Sequence, residues 1–400
     1  MESSFDDVGS FYNGLSGKSK DDFGQGSDRF ITYMNVYKNT IANPDGCELV
    51  LVENGEHQNR VEYGDILFTQ SSETLEEVGL SSVWLHKASP FLNSFCFGFH
   101  FKEKGIINPR FIAYGLRTSY MREQIIREGQ GATRYNLSSN RLKPIKLVYP
   151  SYQEQSKVAS LMSCIEKRIE KQQELICTLK KYKRGLSDSL FAHISQSSGC
   201  KIVKLGDAFD LLQNNTFSRE DLTSELSTVQ NIHYGDVLIK YGAIVNIAED
   251  KPPYIKPDIE LKKYSSASYL CDGDIVFADT AEDYTVGKAT EIAGANGLSV
   301  LSGLHTIPCR PLIKFQPMYL GYYFNSSLFR TQIYPLIQGT KVSSISKGEL
   351  IKANVYVPTL EEQKKIALLL YSMDCRITKE ERKSSDLITA RKALLQQLFI

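Results

Sequence analysis

The sequence predicts an α+β protein. Two related regions of mixed strand and helix alternate with two long helices that pair as an antiparallel coiled coil. Three observations predict this. A stretch beginning at Pro150 returns at Pro358, without a gap, at an offset of 208 residues. Both copies keep an apolar stripe of helical period. Ahead of each copy, a Gly-Asp turn leads into a continuous apolar run of strand character.

Each long helix announces its own start. Ser151 with Glu154, and Thr359 with Glu362, have the spacing of a capping box: the hydroxyl accepts from the N3 amide and the carboxylate reaches back to the N-cap amide. The preceding prolines, Pro150 and Pro358, keep the entering chain extended. The stripe in the first copy gives a seam of Val158, Ile165, Ile169, Leu179 and Leu186. In the second copy it gives Ile366, Met373, Ile377, Leu387 and Leu394. Steps of three and four sustained over several turns require a partner helix, and each stripe finds its partner in the other. The expected divisions are a first head over residues 1–149, a helix over 150–195, a second head over 200–357 and a helix over 358–400. Ser195 to Gly199 reads as the linker.

The heads echo each other in order. Tyr63-Gly64-Asp65-Ile66-Leu67-Phe68 answers Asp272-Gly273-Asp274-Ile275-Val276-Phe277. Val78-Gly79 answers Val286-Gly287. The aromatic segments at Pro109 and Pro317 each open a short helix. Gln130-Gly131-Ala132-Thr133 and Gln338-Gly339-Thr340-Lys341 close the two regions, and a last strand leads to each helix proline. Met1 to Ser4 is polar where Lys201 to Lys204 reads as a strand, so the first edge strand is expected to be incomplete.

Composition narrows the function. A hydrophobic fraction of 42% with 23% charged residues is that of a soluble globular protein. No apolar run reaches membrane-spanning length, and the first residues begin no signal peptide. The eight cysteines form no C-x-x-C pair, which is cytosolic usage with reduced thiols, so a cytoplasmic location is expected. The scattered histidines and cysteines offer no zinc site. Gly14 to Ser19 lacks the first glycine of a phosphate-binding loop, because position 12 is Tyr. Lys251-Pro252-Pro253-Tyr254 reads as a rigid turn, and the acidic run at Asp258 and Glu260 as a solvated surface. No catalytic motif survives, so no catalytic residue, metal or cofactor is assigned to this chain.

Charge distribution says more than the net charge of +1. Lys102 to Lys146 carries ten basic residues against three acidic ones, and Arg310 to Asn354 carries six against one. Paired basic windows interleaved with tyrosines suggest two phosphate-contacting surfaces.

With both capping boxes and both Gly-Asp strands in view, the chain resembles the specificity subunit of a type I restriction-modification system. The likeness is carried by Gly64-Asp65-Ile66-Leu67, Gly273-Asp274-Ile275-Val276, the two Val-Gly pairs, the Gln-Gly segments and the Glu-Gln helices with Lys180-Lys181-Tyr182-Lys183-Arg184-Gly185-Leu186. It spans essentially the whole chain. The resemblance implies a non-catalytic subunit whose two target recognition domains each read one half of a bipartite double-stranded DNA site. It also implies two methyltransferase subunits and ATP-dependent restriction subunits as partners, which would bind S-adenosylmethionine, ATP and Mg. A helix from Ser151 to Ile194 would be about 65 Å long at ~1.5 Å per residue, on the order of 20 base pairs of duplex.

The expected DNA contacts are Lys18, Ser19, Lys20, Thr69, Gln70, Arg117, Arg134 and Tyr135 in the first head. In the second they are Lys240, Tyr241, Thr280 and Lys341. Arg and Gln can read guanine and adenine edges, while Lys positions phosphates. Two other readings stay open at this point: a coiled-coil scaffold with two protein-binding heads and no DNA contact, and a restriction enzyme acting alone.

Overall fold

The structure, a computed structural model, describes the chain from Met1 to Phe399 apart from Ser198 and Thr340. The chain divides into two compact units. Unit 1 comprises Met1–Gln173 and Arg382–Ile400, and unit 2 comprises Glu174–Glu381. The division cuts both long helices, which run unbroken over Tyr152–Ser195 and Leu360–Leu398. Each unit therefore holds one head, the start of one helix and the end of the other.

The first head is built on an antiparallel sheet in the order Gly9–Asn13, Cys96–Phe101, Ile66–Thr69, Ser81–Val83. The second has the corresponding order Phe209–Leu211, Thr306–Pro311, Ile275–Ala278, Ala289–Ala293 and adds Ile244–Asn246, which pairs in parallel. The central strands after Gly-Asp are buried along their whole length, which is why they read as unbroken apolar runs rather than alternating ones. Helices Pro109–Gly115 and Tyr319–Phe324 contribute buried aromatic residues to the two cores. The first edge strand forms after all: Glu2–Ser4 pairs antiparallel with Lys146–Val148, one residue shorter than Lys201–Lys204 on Asn354–Val357.

The basic windows turn inward at four of their arginines. Arg117 donates to the carbonyls of Ser81, Val36, Tyr37 and Asn39. Arg122 donates to Gly79 O, Val78 O and Glu76 O, and Arg330, 208 residues later, donates to Val286 O and Tyr284 O. The repeated Val-Gly pairs are thus turns clamped by an arginine from the following helix. Arg310 makes two hydrogen bonds to buried Asp274. Burial pushes the Arg117 and Arg122 guanidinium pKa values down to about 10, which leaves both charged at neutral pH. Counting these residues as DNA-facing charge is corrected by the structure.

Both capping boxes form. Ser151 N donates to Glu154 Oε2 at 3.1 Å and Glu154 N to Ser151 Oγ at 3.4 Å; Thr359 and Glu362 repeat this at 2.9 and 3.3 Å. The next residue is a buried glutamine in each helix. Gln155 Oε1 accepts from Asn108 N at 2.7 Å, while its Nε2 donates to Ile106 O and Pro150 O. Gln363 Oε1 accepts from Gln316 N at 2.9 Å and its Nε2 donates to Pro358 O. The Glu-Gln pair is therefore a cap followed by a bolt into the head.

Further along, each unit repeats a three-part contact. In unit 1, Tyr114 Oη donates to Glu166 at 2.7 Å, and Arg391 from the other helix lies 3.7 Å from the same carboxylate. In unit 2, Tyr322 Oη donates to Asp374 at 2.8 Å and Lys183 pairs with it at 2.5 Å. Phe399 stacks on Phe111 with ring centroids 4.8 Å apart, and Phe191 packs on Tyr319 and Tyr323. In unit 2 the pairs Lys180–Glu381 and Lys183–Asp374 show the two helix segments running antiparallel. Leu179, Met373 and Ile377 form a buried cluster there, with Leu186 half-buried against it. Two expected seam positions do other work. Val158 packs against the core of the first head and Ile366 lies in that of the second, because the opening turns of each helix cover a head before they meet a helix. Ile169 is buried, and Ile165, Leu387 and Leu394 are half-buried.

Glu291 is a feature of the second head alone. It is buried, and its carboxylate accepts from Met318 N at 2.6 Å and Gly321 N at 2.8 Å, capping Tyr319–Phe324 beside a left-handed Met318 at φ 71°. Burial pushes its pKa from the usual 4.5 up to about 7 despite those donors.

Arg122→Met removes three charge-assisted donors and should lower the stability of unit 1 by about 2–4 kcal/mol, read as the midpoint shift in urea. A raised folded pKa stabilises fully below the unfolded value and is lost as pH rises through the folded one. Unit 2 should therefore lose stability between about pH 4.5 and 7 through Glu291. Glu291→Gln should flatten that part of the pH–stability curve.

Candidate nucleic-acid interface

In each head the Gly-Asp turn supplies a buried acid that fixes the start of the central strand. Asp65 accepts from Glu62 N at 2.8 Å, Tyr12 Oη at 2.6 Å and the Nδ1 of His100 at 2.8 Å. Asp274 accepts from Cys271 N at 2.8 Å and from Arg310. The buried strand then carries the chain across the head and delivers Gln70 or Asp279 at its far end.

Three loops converge at that end, in the same way in both heads. Ser71–Ser72 pairs antiparallel with Tyr135–Asn136, and Thr280–Ala281 with Ser343–Ser344. Leu137 N donates to Gln70 O at 2.8 Å, and Ile345 N to Asp279 O at 2.8 Å. The Gln-Gly segments form tight loops closed by Gln130 with Asn136 and Gln338 with Ser344. The glycines are required. Gly131 has φ 137° and Gly339 φ 105°, and a Cβ on either would lie 2.0 Å from a carbonyl oxygen, of Arg134 or Val342. Thr340 of the second segment lies outside the described residues.

The third loop is a turn between sheets. Gln70 N donates to Phe95 O at 2.9 Å, and Asp279 N donates to His305 O at 3.1 Å. A helix supports each cluster. Tyr33 Oη donates to Ser71 O at 2.6 Å and stacks with Tyr37, while the ring of Tyr234 meets that of His305 edge-on at 5.3 Å. Tyr33 and Tyr234 fell in segments that repeat between the heads but were not singled out as contacts, and Phe95 and His305 escaped the sequence reading. A ring in a short turn looks like core, and no spacing links Phe95 or His305 to the Gly-Asp strand.

The expected contacts separate into three groups. Gln70, Arg134 and Lys341 are exposed at the converged loops, with Tyr135 and Thr280 half-buried beside them. Ser19, Lys20 and Lys240 lie elsewhere on their heads. Ser19 closes a 3-10 turn over Lys20–Asp22 through Asp22, and Lys240 ends helix Tyr234–Ile239 with Nζ 5.4 Å from the ring centroid of Tyr241. Lys18, Thr69, Arg117 and Tyr241 are withdrawn. Lys18 is held by Glu56 with its side chain 5% exposed, Thr69 and Tyr241 are buried, and Arg117 is spent on backbone carbonyls. Among the described residues no group of three or more His, Cys, Asp or Glu could hold a metal ion, and no helix is long and apolar enough to cross a membrane.

A family model for the type I restriction modification DNA specificity domain matches residues 3–180 and again 197–388. The chain belongs to this family. A putative type I restriction enzyme specificity subunit, MjaX, from Methanocaldococcus jannaschii is 22% identical over 402 residues, covering 97% of this chain and 89% of its own. Among solved structures, a type I restriction-modification S subunit from M. genitalium aligns over 100% of this chain and 96% of its own, with 15% identity and a TM-score of 0.53. A chain solved in work on complex assembly and conformational transition of the type I system aligns over 100% and 97%, with 13% identity and a TM-score of 0.64. These structures share the fold.

As a type I specificity subunit, the chain provides DNA recognition and no catalysis of its own. The two family matches fall on the two repeats, so the converged loops lie inside specificity domains on both. Arg134→Ala and Lys341→Ala should each weaken DNA binding and reduce the salt slope by about one, with unchanged circular dichroism. The contrasting variant Arg117→Ala should fail by losing fold rather than affinity, seen as a lowered melting temperature.

Proposed function

We propose that each head of this specificity subunit reads one half of a split DNA target. The two long helices set the gap between the halves and dock two methyltransferase subunits. Adenine methylation from S-adenosylmethionine and ATP-driven restriction with Mg are then the chemistry of the partner subunits. One observation carries the reading. The same three-loop cluster is built twice on the same hydrogen bonds, yet it presents Gln70 and Arg134 in one head and Lys341 in the other, where Asp279 takes the place of Gln70 and binds the Thr280 hydroxyl at 2.7 Å. A shared frame with different exposed donors is what two dissimilar half-sites require.

The gap follows from an unbroken helix of 44 residues. Removing one heptad from each long helix shortens it by about 10 Å, roughly three base pairs. The gap in the methylated site, mapped by sequencing of methyladenine, should contract by that amount; an unchanged gap refutes the spacer role. Binding of the full chain to mixed duplex DNA should fall steeply with salt through counterion release. Absence of binding even at low salt would leave the scaffold reading in its place.

A further inference from the structure

We propose that Phe95 and His305 are matched base-contacting residues, one per head, and that they help to distinguish the two half-sites. This rests on the function proposed above and deepens it.

The two residues occupy one structural position. Each hands its carbonyl to the first residue after the buried central strand, Phe95 O to Gln70 N and His305 O to Asp279 N. Each tips the turn that leads into the sheet neighbour of that strand, Cys96–Phe101 or Thr306–Pro311. Both turns are fixed. Asn93 Oδ1 accepts from Phe95 N at 2.9 Å, and Asn93 O accepts from Cys96 N at 3.0 Å. His305 is held left-handed at φ 53°, a conformation that costs a non-glycine residue energy and is retained where the surroundings over-determine it.

What the tips present differs. Phe95 is 59% exposed and is the only phenylalanine among the described residues left exposed. It stands beside Gln70 at the mouth of the converged loops. A phenyl ring can meet a thymine methyl or wedge into a base step, and can do neither donor nor acceptor work. His305 is half-exposed. Its Nδ1 lies 3.4 Å from both Thr280 Oγ1 and Asp279 Oδ1, which leaves Nε2 as its remaining polar atom. An imidazole nitrogen can bond a purine edge in the major groove. Both tips are carried at strand ends with their backbone held by hydrogen bonds, which places a reading group on a fixed support.

The test is selection from a randomised duplex library by the full chain co-expressed with its methyltransferase subunit. The variants are Phe95→Ala and His305→Gly, the latter because glycine keeps the left-handed turn. Phe95→Ala should relax one or two positions in one half-site only and weaken binding to the parental site roughly 5- to 100-fold. His305→Gly should do the same in the other half only. Parental preference and affinity in both variants would overturn the proposal, as would changes spread over both halves from one substitution. A wild-type complex that selects no sequence overturns the functional reading as well, so the two failures are distinguishable.

Discussion

The structure depends on two buried carboxamides. Gln155 and Gln363 sit one residue beyond a capping box, and each is inserted into its head with almost no exposed surface. A buried amide is costly unless its donors and acceptors are matched, and here the backbone on either side supplies them. The match fixes both where each helix begins and how it is rotated. Everything further along inherits that rotation, including the tyrosine–carboxylate–cation contacts at Glu166 and Asp374 and the aromatic packing of Phe399 and Phe191.

Much of this was legible because it is local. A capping box needs four residues, a buried strand needs a continuous apolar run, and the duplication exposes both twice. The apportioning of charge was not legible. Arg117, Arg122 and Arg330 look like surface cations in a basic window, but their partners are carbonyls more than thirty residues away, and carbonyls leave no trace in sequence. Tyr241 beside Lys240 was expected to contact DNA, and it is buried in the core of the second head. The loop cluster was half legible. The segments after Gly-Asp and the Gln-Gly segments were each visible as repeats, whereas their pairing with a turn carrying Phe95 or His305 appears only in three dimensions.

Family membership and geometry divide the labour between frame and tip. The buried acids Asp65 and Asp274 fix the start of each central strand, the arginines Arg122 and Arg330 clamp the Val-Gly turns, and the glycines Gly131 and Gly339 close the Gln-Gly loops. Their chemistry is used up internally and is shared between the heads. The side chains that remain outward are free to differ, and they do. The acid partners show the same freedom within limits: Asp65 is satisfied by Tyr12 and His100, Asp274 by Arg310. The two heads thus satisfy the same buried carboxylate with different donors.

The composition of unit 1 bears on synthesis. Its head leaves the ribosome first, yet its helical layer includes Arg382–Leu398, which is made only after all of unit 2. Until then Phe111 lacks the ring of Phe399 and Glu166 lacks Arg391. The nascent chain must carry an unfinished first head through translation of more than two hundred further residues, while unit 2 already has every segment it needs. Order of emergence and order of completion are therefore reversed for the two halves, and the earlier half is the one that a chaperone would be called on to shield.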